Sequence, residues 1–292
     1  MPVTALVSAK SCGVTTSALA LTLASKRPSL LAECDPAGGT LRAGFFQGEV
    51  DAGVGLYHLA AAERTSPDAL ANAFASHLWA LDEAGHRKLL PGLTDPGQAG
   101  ALGRTWPTLA EVMSVLAEEA GYDVFIDAGR LVLESGRLHT TLTPAPLLHH
   151  ADMVLLVVRG TEQSLTLARH LIDPLRTELT ERGTGMDALG LLLIEEGPYR
   201  AHQVTEALKA PVLAALPFEP STASFFANGG RPPRGYGRSG LLRHARTATE
   251  HLEAAASRRK IQQDYPLRPA PGGSAQIAGV LQRLMAKGGR RG

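Results

Sequence analysis

The stretch 5–23, ALVSAKSCGVTTSALALTL, limits what this chain can fold into more than any other part of it. An apolar run, Ala5-Leu6-Val7, enters a turn of small residues from Ser8 to Gly13. Three hydroxyls follow, Thr15, Thr16 and Ser17, and then a segment apolar enough to be a buried helix. Strand, tight loop and helix in that order make a cradle for an anion such as a phosphate. Backbone N–H groups of the loop and first helical turn converge on the anion, and the helix dipole favours negative charge there. The backbone can approach only if side-chain bulk is small, a condition that Ser11, Cys12 and Gly13 meet.

The rest of the chain alternates two patterns. Apolar runs at 29–34, 88–93, 122–129, 151–158, 189–194 and 212–218 read as strands. Helical patterns are expected at 56–64, at 67–82 behind Ser66, at 108–120, from the turn at 159–165 to about 175, at 201–208 and at 241–263. In the 108–120 segment Leu109, Val112, Met113 and Leu116 recur at helical spacing. A loop rich in Gly and Pro is expected between the 88–93 strand and Gly103. Mostly apolar strands alternating with helices predict an α/β fold: a doubly wound, mostly parallel sheet with helices on both faces. Such sheets bind ligands at the carboxyl ends of their strands. Glu33 and Asp35 fall at one such end and Asp127 at another. Carboxylates facing phosphates there act through Mg²⁺ or water. The alternative for Asp35, which precedes Pro36, is a helix cap or turn.

Composition narrows the rest. With 292 residues, 44% hydrophobic and 20% charged, the chain suffices for one large α/β domain or a domain with an appendage. A net charge of +1 implies no bulk attraction to nucleic acid. Cys12 and Cys34 are too few for a disulfide framework and sit at strand ends, as expected of a reduced, cytoplasmic setting. The start has no signal-peptide pattern, and no apolar run reaches the roughly 18 residues of a spanning helix. His58, His77 and His86 lack ligand spacing and read as structural.

The segment 11–24, SCGVTTSALALTLA, resembles the deviant Walker A loop of the MinD/ParA family, roughly KGGVGKTTTALNLA, and aligns with it without a gap. The resemblance implies a P-loop NTPase of the SIMIBI class whose nucleotide loop runs through Lys10, Ser11, Cys12, Gly13, Val14, Thr15, Thr16 and Ser17. The family's phosphate-binding Lys falls on Thr16, and its signature Lys falls on Ser11, with Lys10 one place early. The Mg²⁺-ligand hydroxyl is kept as Ser17. The family motif D-x-D-P-x-G matches residues from Glu33 on, which implies that Glu33 helps place the attacking water and that Asp35 is the second acid. Asp127 takes the Walker B position, holding Mg²⁺ through water, and Arg130 beside it is either a phosphate or partner contact or a surface Arg. Ile194 stands where the family has a base-reading Asn; Leu216, Pro217 and Glu219 match its segment near the base, and 225–232 its closing turn. The resemblance covers about residues 3–255 and implies ATP and Mg²⁺ as cofactors and a homodimer with nucleotide at the interface.

Two readings of function follow. The first is a weak or specialised ATPase switch that positions a cellular machine: a septum, a chromosome or plasmid, or a pilus or secretion apparatus. The second is a pseudo-ATPase scaffold that no longer binds or hydrolyses ATP. Thr16 and Ser11 favour the second; Ser17, Glu33, Asp35 and Asp127 favour the first.

The expected domain spans 1–263, followed by a Pro/Gly linker at 264–275 and a basic amphipathic tail helix at 276–292. In the tail Ile277, Val280, Leu281, Leu284 and Met285 form one apolar stripe beside Arg283, Lys287, Arg290 and Arg291. That pattern fits an anionic membrane surface, hence peripheral membrane association, and also a helix docked on its own domain or on a protein partner. The run Arg231, Arg234, Arg238, Arg243 and Arg246 reads either as a non-specific DNA contact or as a solvated face.

Overall fold

The computed structural model describes residues 2–263; the expected linker at 264–275 and tail at 276–292 lie outside the described residues. Strand β1 (Val3–Ser8), helix α1 (Val14–Ala24) and strand β2 (Ser29–Glu33) form the first unit. The chain continues through α2 (Leu56–Glu63), α3 (Pro67–Phe74), β3 (Trp79–Ala80), β4 (Arg87–Leu90), α4 (Thr105–Glu119) and β5 (Asp123–Arg130). A short hairpin of β6 (Leu133–Glu134) and β7 (Arg137–Leu138) leads into α5 (Ala145–His150). The second half runs β8 (Met153–Arg159), α6 (Glu162–Arg182), β9 (Leu189–Glu195), α7 (Ala201–Leu208), β10 (Val212–Pro217), α8 (Pro220–Asn228) and α9 (Gly240–Gln263).

Eight strands form one sheet in the order β10-β9-β8-β1-β5-β2-β4-β3. Every pair is parallel except β3 with β4. The period of two in the strands sends alternate side chains to two cores. Val3, Ala5 and Val7 of β1 enter one core, and Leu6 enters the other. Val124, Ile126 and Ala128 of β5 likewise separate from Phe125. Helices α2 to α7 cover the first face. Helices α1 and α9 cover the second, with α9 lying on α1 and β10. Helix α1 is apolar nearly all round because sheet and α9 enclose it. Small Ala245 and Ala248 let α9 approach, and Lys26 pairs with Glu250 at 2.6 Å at the rim. The expected doubly wound, mostly parallel sheet is therefore observed, and the expected last helix is α9.

Several boundaries differ from expectation. The helix expected over 67–82 ends at Phe74, continues as a single 3-10 turn (Ala75–His77) and gives way to β3. Ser66 does cap its start, Oγ accepting from the Ala69 N–H at 3.0 Å. The chain turns extended after His77 because Trp79 pairs across to Leu89 of β4 and sets its ring edge-on to Phe46. Tertiary partners thus override a helical sequence pattern. The strand expected over 88–93 is Arg87–Leu90, and part of the expected Gly/Pro loop is a 3-10 helix, Pro96–Leu102, capped by Asp95. Helix α4 starts at Thr105, ahead of the expected 108, since Trp106, 1% exposed, already belongs to its buried face. Helix α6 runs past 175 to Arg182 because Leu179 extends the apolar face, while Glu178 is buried against His149 at 3.1 Å.

Candidate functional site

The loop from Ala9 to Gly13 joins β1 to α1. Gly13 has φ 92, a left-handed conformation that favours Gly, and its carbonyl accepts from the Ser17 N–H at 2.9 Å. The helix therefore starts at Val14, and Thr15, Thr16 and Ser17 belong to its first turn. Cys12 and Val14 are buried and hold the loop down, while Lys10 and Ser11 are exposed on it. Thr15 and Thr16 are half-buried, and Ser17 is buried.

The acids meet at neighbouring strand ends. Strands β2 and β5 pair in parallel with Glu33 opposite Asp127. Asp127 is buried and accepts from the Thr15 hydroxyl at 2.5 Å and from the Gly129 N–H at 3.0 Å. Burial above all pushes its carboxyl up to about 7; Glu33 and Asp35 push the same way, against the bonds from Thr15 and Gly129. Asp35 is half-buried and accepts from the Ala37 N–H at 2.8 Å, closing a turn. Burial raises its pKa, and Arg130 opposes this. The end of β5 touches Asp35 closely: a Cβ on Gly129, which has φ +66, would lie 2.1 Å from the Asp35 carboxyl carbon, so that side chain would have to turn away.

Glu33 is differently engaged. One oxygen accepts from the Thr40 and Leu41 N–H groups at 2.6 and 2.9 Å, and the other from the Gly92 N–H at 3.0 Å. Burial raises its pKa despite those three bonds and the nearby Arg42. In this arrangement Glu33 pins the segment after β2 to the loop after β4, and both its oxygens are occupied. The segment is pinned at its far end too. Phe45 meets Phe225 and Phe226 of α8 edge-on at 5.4 and 6.2 Å, and Gly44 lies against the Ala227 carbonyl where a Cβ would come within 2.0 Å.

On the other side of α1's first turn, Cys12, Gly13, Thr16 and Ser17 face the ends of β8 to β10 across a narrow cleft of about 70 Å³. Its far wall holds Ile194, Pro217, Phe218 and Glu219. Small-molecule sites are usually about 300–1,000 Å³, so the cleft as it stands is small for a nucleotide. Glu219 accepts from the Leu241 N–H at 3.0 Å and from the Thr222 hydroxyl, which fastens the start of α9. A larger cavity of about 260 Å³ lies apart from these residues, beside Arg42, Tyr57 and His58.

The expected residues therefore form two groups. Thr15, Glu33, Asp35 and Asp127 cluster on one side, and Cys12, Gly13, Thr16, Ser17, Pro217 and Glu219 line the cleft on the other. Lys10 and Ser11 join neither. The donors at the first group and at Ser17 are hard oxygens, and a divalent cation would relieve both the burial that chiefly raises the Asp127 pKa and the smaller push from Glu33 and Asp35, so these donors fit Mg²⁺. Among the described residues no three His, Cys, Asp or Glu side chains form a metal cage. Mg²⁺ does not require one, since it keeps several waters and uses one or two carboxylates together with phosphates. Sequence reasoning missed Arg42 and Gly92 as partners of Glu33, and Arg159 in the cleft. The signal for Arg159 was its place as the first charge after the 151–158 run.

No protein-family model and no curated protein sequence matches this chain. Solved structures do. The septum site-determining protein MinD complexed with Mg-ADP, from Pyrococcus horikoshii OT3, superimposes with a TM-score of 0.63 at 17% identity, over 88% of this chain and 98% of that one. A ParA family ATPase from Chlorobium tepidum TLS gives a TM-score of 0.59 at 15% identity, over 86% and 98%. The MinC:MinD cell division protein complex of Aquifex aeolicus gives 0.60 at 17%, over 94% and 99%. The fold is MinD/ParA-like across most of the chain.

Proposed function

We propose that this chain, built on a MinD/ParA-like fold, is a nucleotide-dependent switch or scaffold that positions a cellular machine and has a weakened phosphate site. The observation that supports this reading is the Asp127 cluster: the buried Asp127, beside Glu33, meets the Thr15 hydroxyl of α1's first turn at the carboxyl ends of β2 and β5, where doubly wound sheets take their ligands. The N–H groups of the Gly13 loop and of α1's start receive the phosphates. Ser17, from the cleft group, and Asp127, from the acid group, would hold Mg²⁺, which would neutralise phosphate charge; in this structure the Asp127 carboxylate is hydrogen-bonded to Thr15 and not to Ser17. Asp35 is the second acid beside it. Glu33 acts in the nucleotide-free form as the anchor of the segment after β2, and takes up its water-placing role only if that segment lets go. Pro217 and Glu219 form the wall near the base.

The pseudo-ATPase reading has its own support. Thr16 carries no charge where a phosphate-binding Lys is expected, and the cleft beside it is about 70 Å³. Calorimetry on the full chain with Mg-ATP and Mg-ADP, in wild type and Asp127→Ala, decides between them. Micromolar binding lost in the variant supports the switch; no binding at millimolar nucleotide leaves the scaffold.

The partners follow from the same reading. A homodimer forms over nucleotide, with Lys10 as the residue that crosses the interface, and a protein partner docks on it, as MinC does with MinD in the solved complex. Among the described residues no helix is long and apolar enough to cross a membrane. The basic amphipathic pattern of 276–292 is what supports a peripheral membrane contact. Equal co-sedimentation with anionic vesicles by the full chain and by a chain ending at Ser274 rules that contact out. Arg231, Arg234, Arg238, Arg243 and Arg246 are all exposed, and salt-sensitive duplex binding is the test of a DNA role.

A further inference from the structure

The cleft that Thr16 leaves without a loop cation has a cation from elsewhere. Arg159 is the last residue of β8, which lies next to β1 in the sheet, and it lines the cleft with Gly13, Thr16 and Ser17. Among the described residues it is the single Lys or Arg there. Its position relative to the loop is fixed by two contacts. The Arg159 N–H donates to the Ser164 hydroxyl at 2.9 Å, and that hydroxyl lies 3.7 Å from the Cys12 sulfur. The guanidinium is held by one partner, Glu196, whose carboxylate takes Nη1 at 2.5 Å. Its Nε is buried and has no hydrogen-bond partner among the described residues. A guanidinium has five donors in a fork that matches phosphate oxygens in pairs. One carboxylate oxygen on Nη1 leaves most of that capacity unused.

Position in the sheet locates what this charge meets. Arg159 pairs in register with Ile194 of β9, so it stands between the loop and the wall formed by Ile194 and Pro217. A nucleotide with its phosphates on the loop and its base on that wall passes the guanidinium along its phosphate chain. We propose that Arg159 is the phosphate-contacting cation of this site, replacing the lysine absent at Thr16 and held by Glu196 until nucleotide arrives. The inference rests on the nucleotide reading above and adds to it the residue that makes binding possible without a loop lysine. Arg159 also explains why a carboxylate such as Glu196 is tolerated beside a phosphate site: it neutralises the arginine until nucleotide arrives.

The test is calorimetric titration of the full chain with Mg-ATP, Mg-ADP and AMP. The proteins are wild type, Arg159→Gln, Arg159→Lys and Glu196→Gln, each with its melting temperature measured. Charge-assisted contacts to phosphate are strong, so Arg159→Gln is expected to weaken Mg-ATP about tenfold or more and AMP much less. Arg159→Lys retains part of the affinity, and Glu196→Gln, which frees the guanidinium, tightens Mg-ATP. A structural role for the ion pair predicts instead that both Arg159→Gln and Glu196→Gln weaken all three ligands alike, and that result overturns the inference. Wild-type binding that Arg159→Gln leaves unchanged overturns the inference alone. No binding of any ligand by wild type at millimolar concentration removes the nucleotide reading and this inference together. If Arg159→Gln does not fold, Glu196→Gln decides: tighter Mg-ATP supports the inference, and equal or weaker binding overturns it.

Discussion

Glu33 and Asp127 face each other across the parallel β2–β5 pair, yet the two carboxylates do opposite work. Glu33 has both oxygens taken by backbone N–H groups of Thr40, Leu41 and Gly92, so its charge is spent on holding two loops. Among the described residues the Asp127 carboxylate accepts from the Thr15 hydroxyl and the Gly129 N–H, and burial above all, with the neighbouring Glu33 and Asp35, makes its ionisation costly. One is anchored by three backbone donors, and the other is held by one hydroxyl and one backbone donor.

Replacing Glu33 by Ala strands three N–H donors, two of them on the buried residues Leu41 and Gly92 and one on the exposed Thr40. Each unsatisfied buried donor costs about 1–3 kcal/mol, so the variant should lose about 2 kcal/mol or more in urea unfolding. Glu33→Gln, which keeps an acceptor oxygen, should lose less. A loss below about 1 kcal/mol for Glu33→Ala contradicts the anchoring role.

Gly129→Ala tests the contact between β5 and Asp35. The left-handed φ of +66 costs an L-residue about 1–2 kcal/mol, and the new Cβ meets the Asp35 carboxyl carbon at 2.1 Å. Denaturation should show a loss of about 2 kcal/mol or more, of which removal of the clash in Gly129→Ala with Asp35→Ala should return a clear part. Simple additivity of the two single variants speaks against the contact.

Thr16→Lys restores the missing charge in the half-buried first turn of α1. If the loop is shaped for phosphate, Mg-ATP should bind about tenfold tighter, a gain of about 1.4 kcal/mol. Unchanged affinity, with the fold intact by circular dichroism, means that the small cleft and not the missing lysine limits binding.

Two half-buried imidazoles are expected to contribute to the acid limit of stability. Burial lowers the pKa of His149 from 6.5, against its bond with Glu178 and with help from Arg182 and His150. Burial likewise lowers that of His77, with His58 stacked on it at 5.4 Å. A depressed histidine pKa gives stability that is present above the unfolded value of 6.5 and lost as pH falls through the folded value. The urea midpoint should therefore drop between pH 7.5 and pH 5, and His149→Gln with His77→Gln should flatten that drop. An equally steep profile in the double variant assigns the loss to other groups.

The fold was legible because each strand of the sheet is an apolar run bounded by a turn, and the parallel core demands such runs. β1, β5 and β8 declare themselves in this way. The 67–82 segment did not, because β3 exists through pairing with β4 and the Trp79–Phe46 contact, which no local pattern encodes. Residues of the candidate site were legible where strand ends carry an acid, as at Asp127. The engagement of Glu33 was not, since its partners are backbone N–H groups 7, 8 and 59 residues away, and backbone donors leave no mark in a sequence. Arg159 was hidden for a related reason: the sheet order that sets β8 beside β1 brings together residues far apart in the chain.

The tight seat of Gly44 on Ala227, with Phe45 wedged against α8, has a mechanical meaning. It joins the segment after β2 to α8 as one packed unit. Helix α8, whose Ala223 lines the cleft, is in this way tied to the same segment whose Thr40 and Leu41 amides hold Glu33, so the two sides of α1 share one run of packed residues.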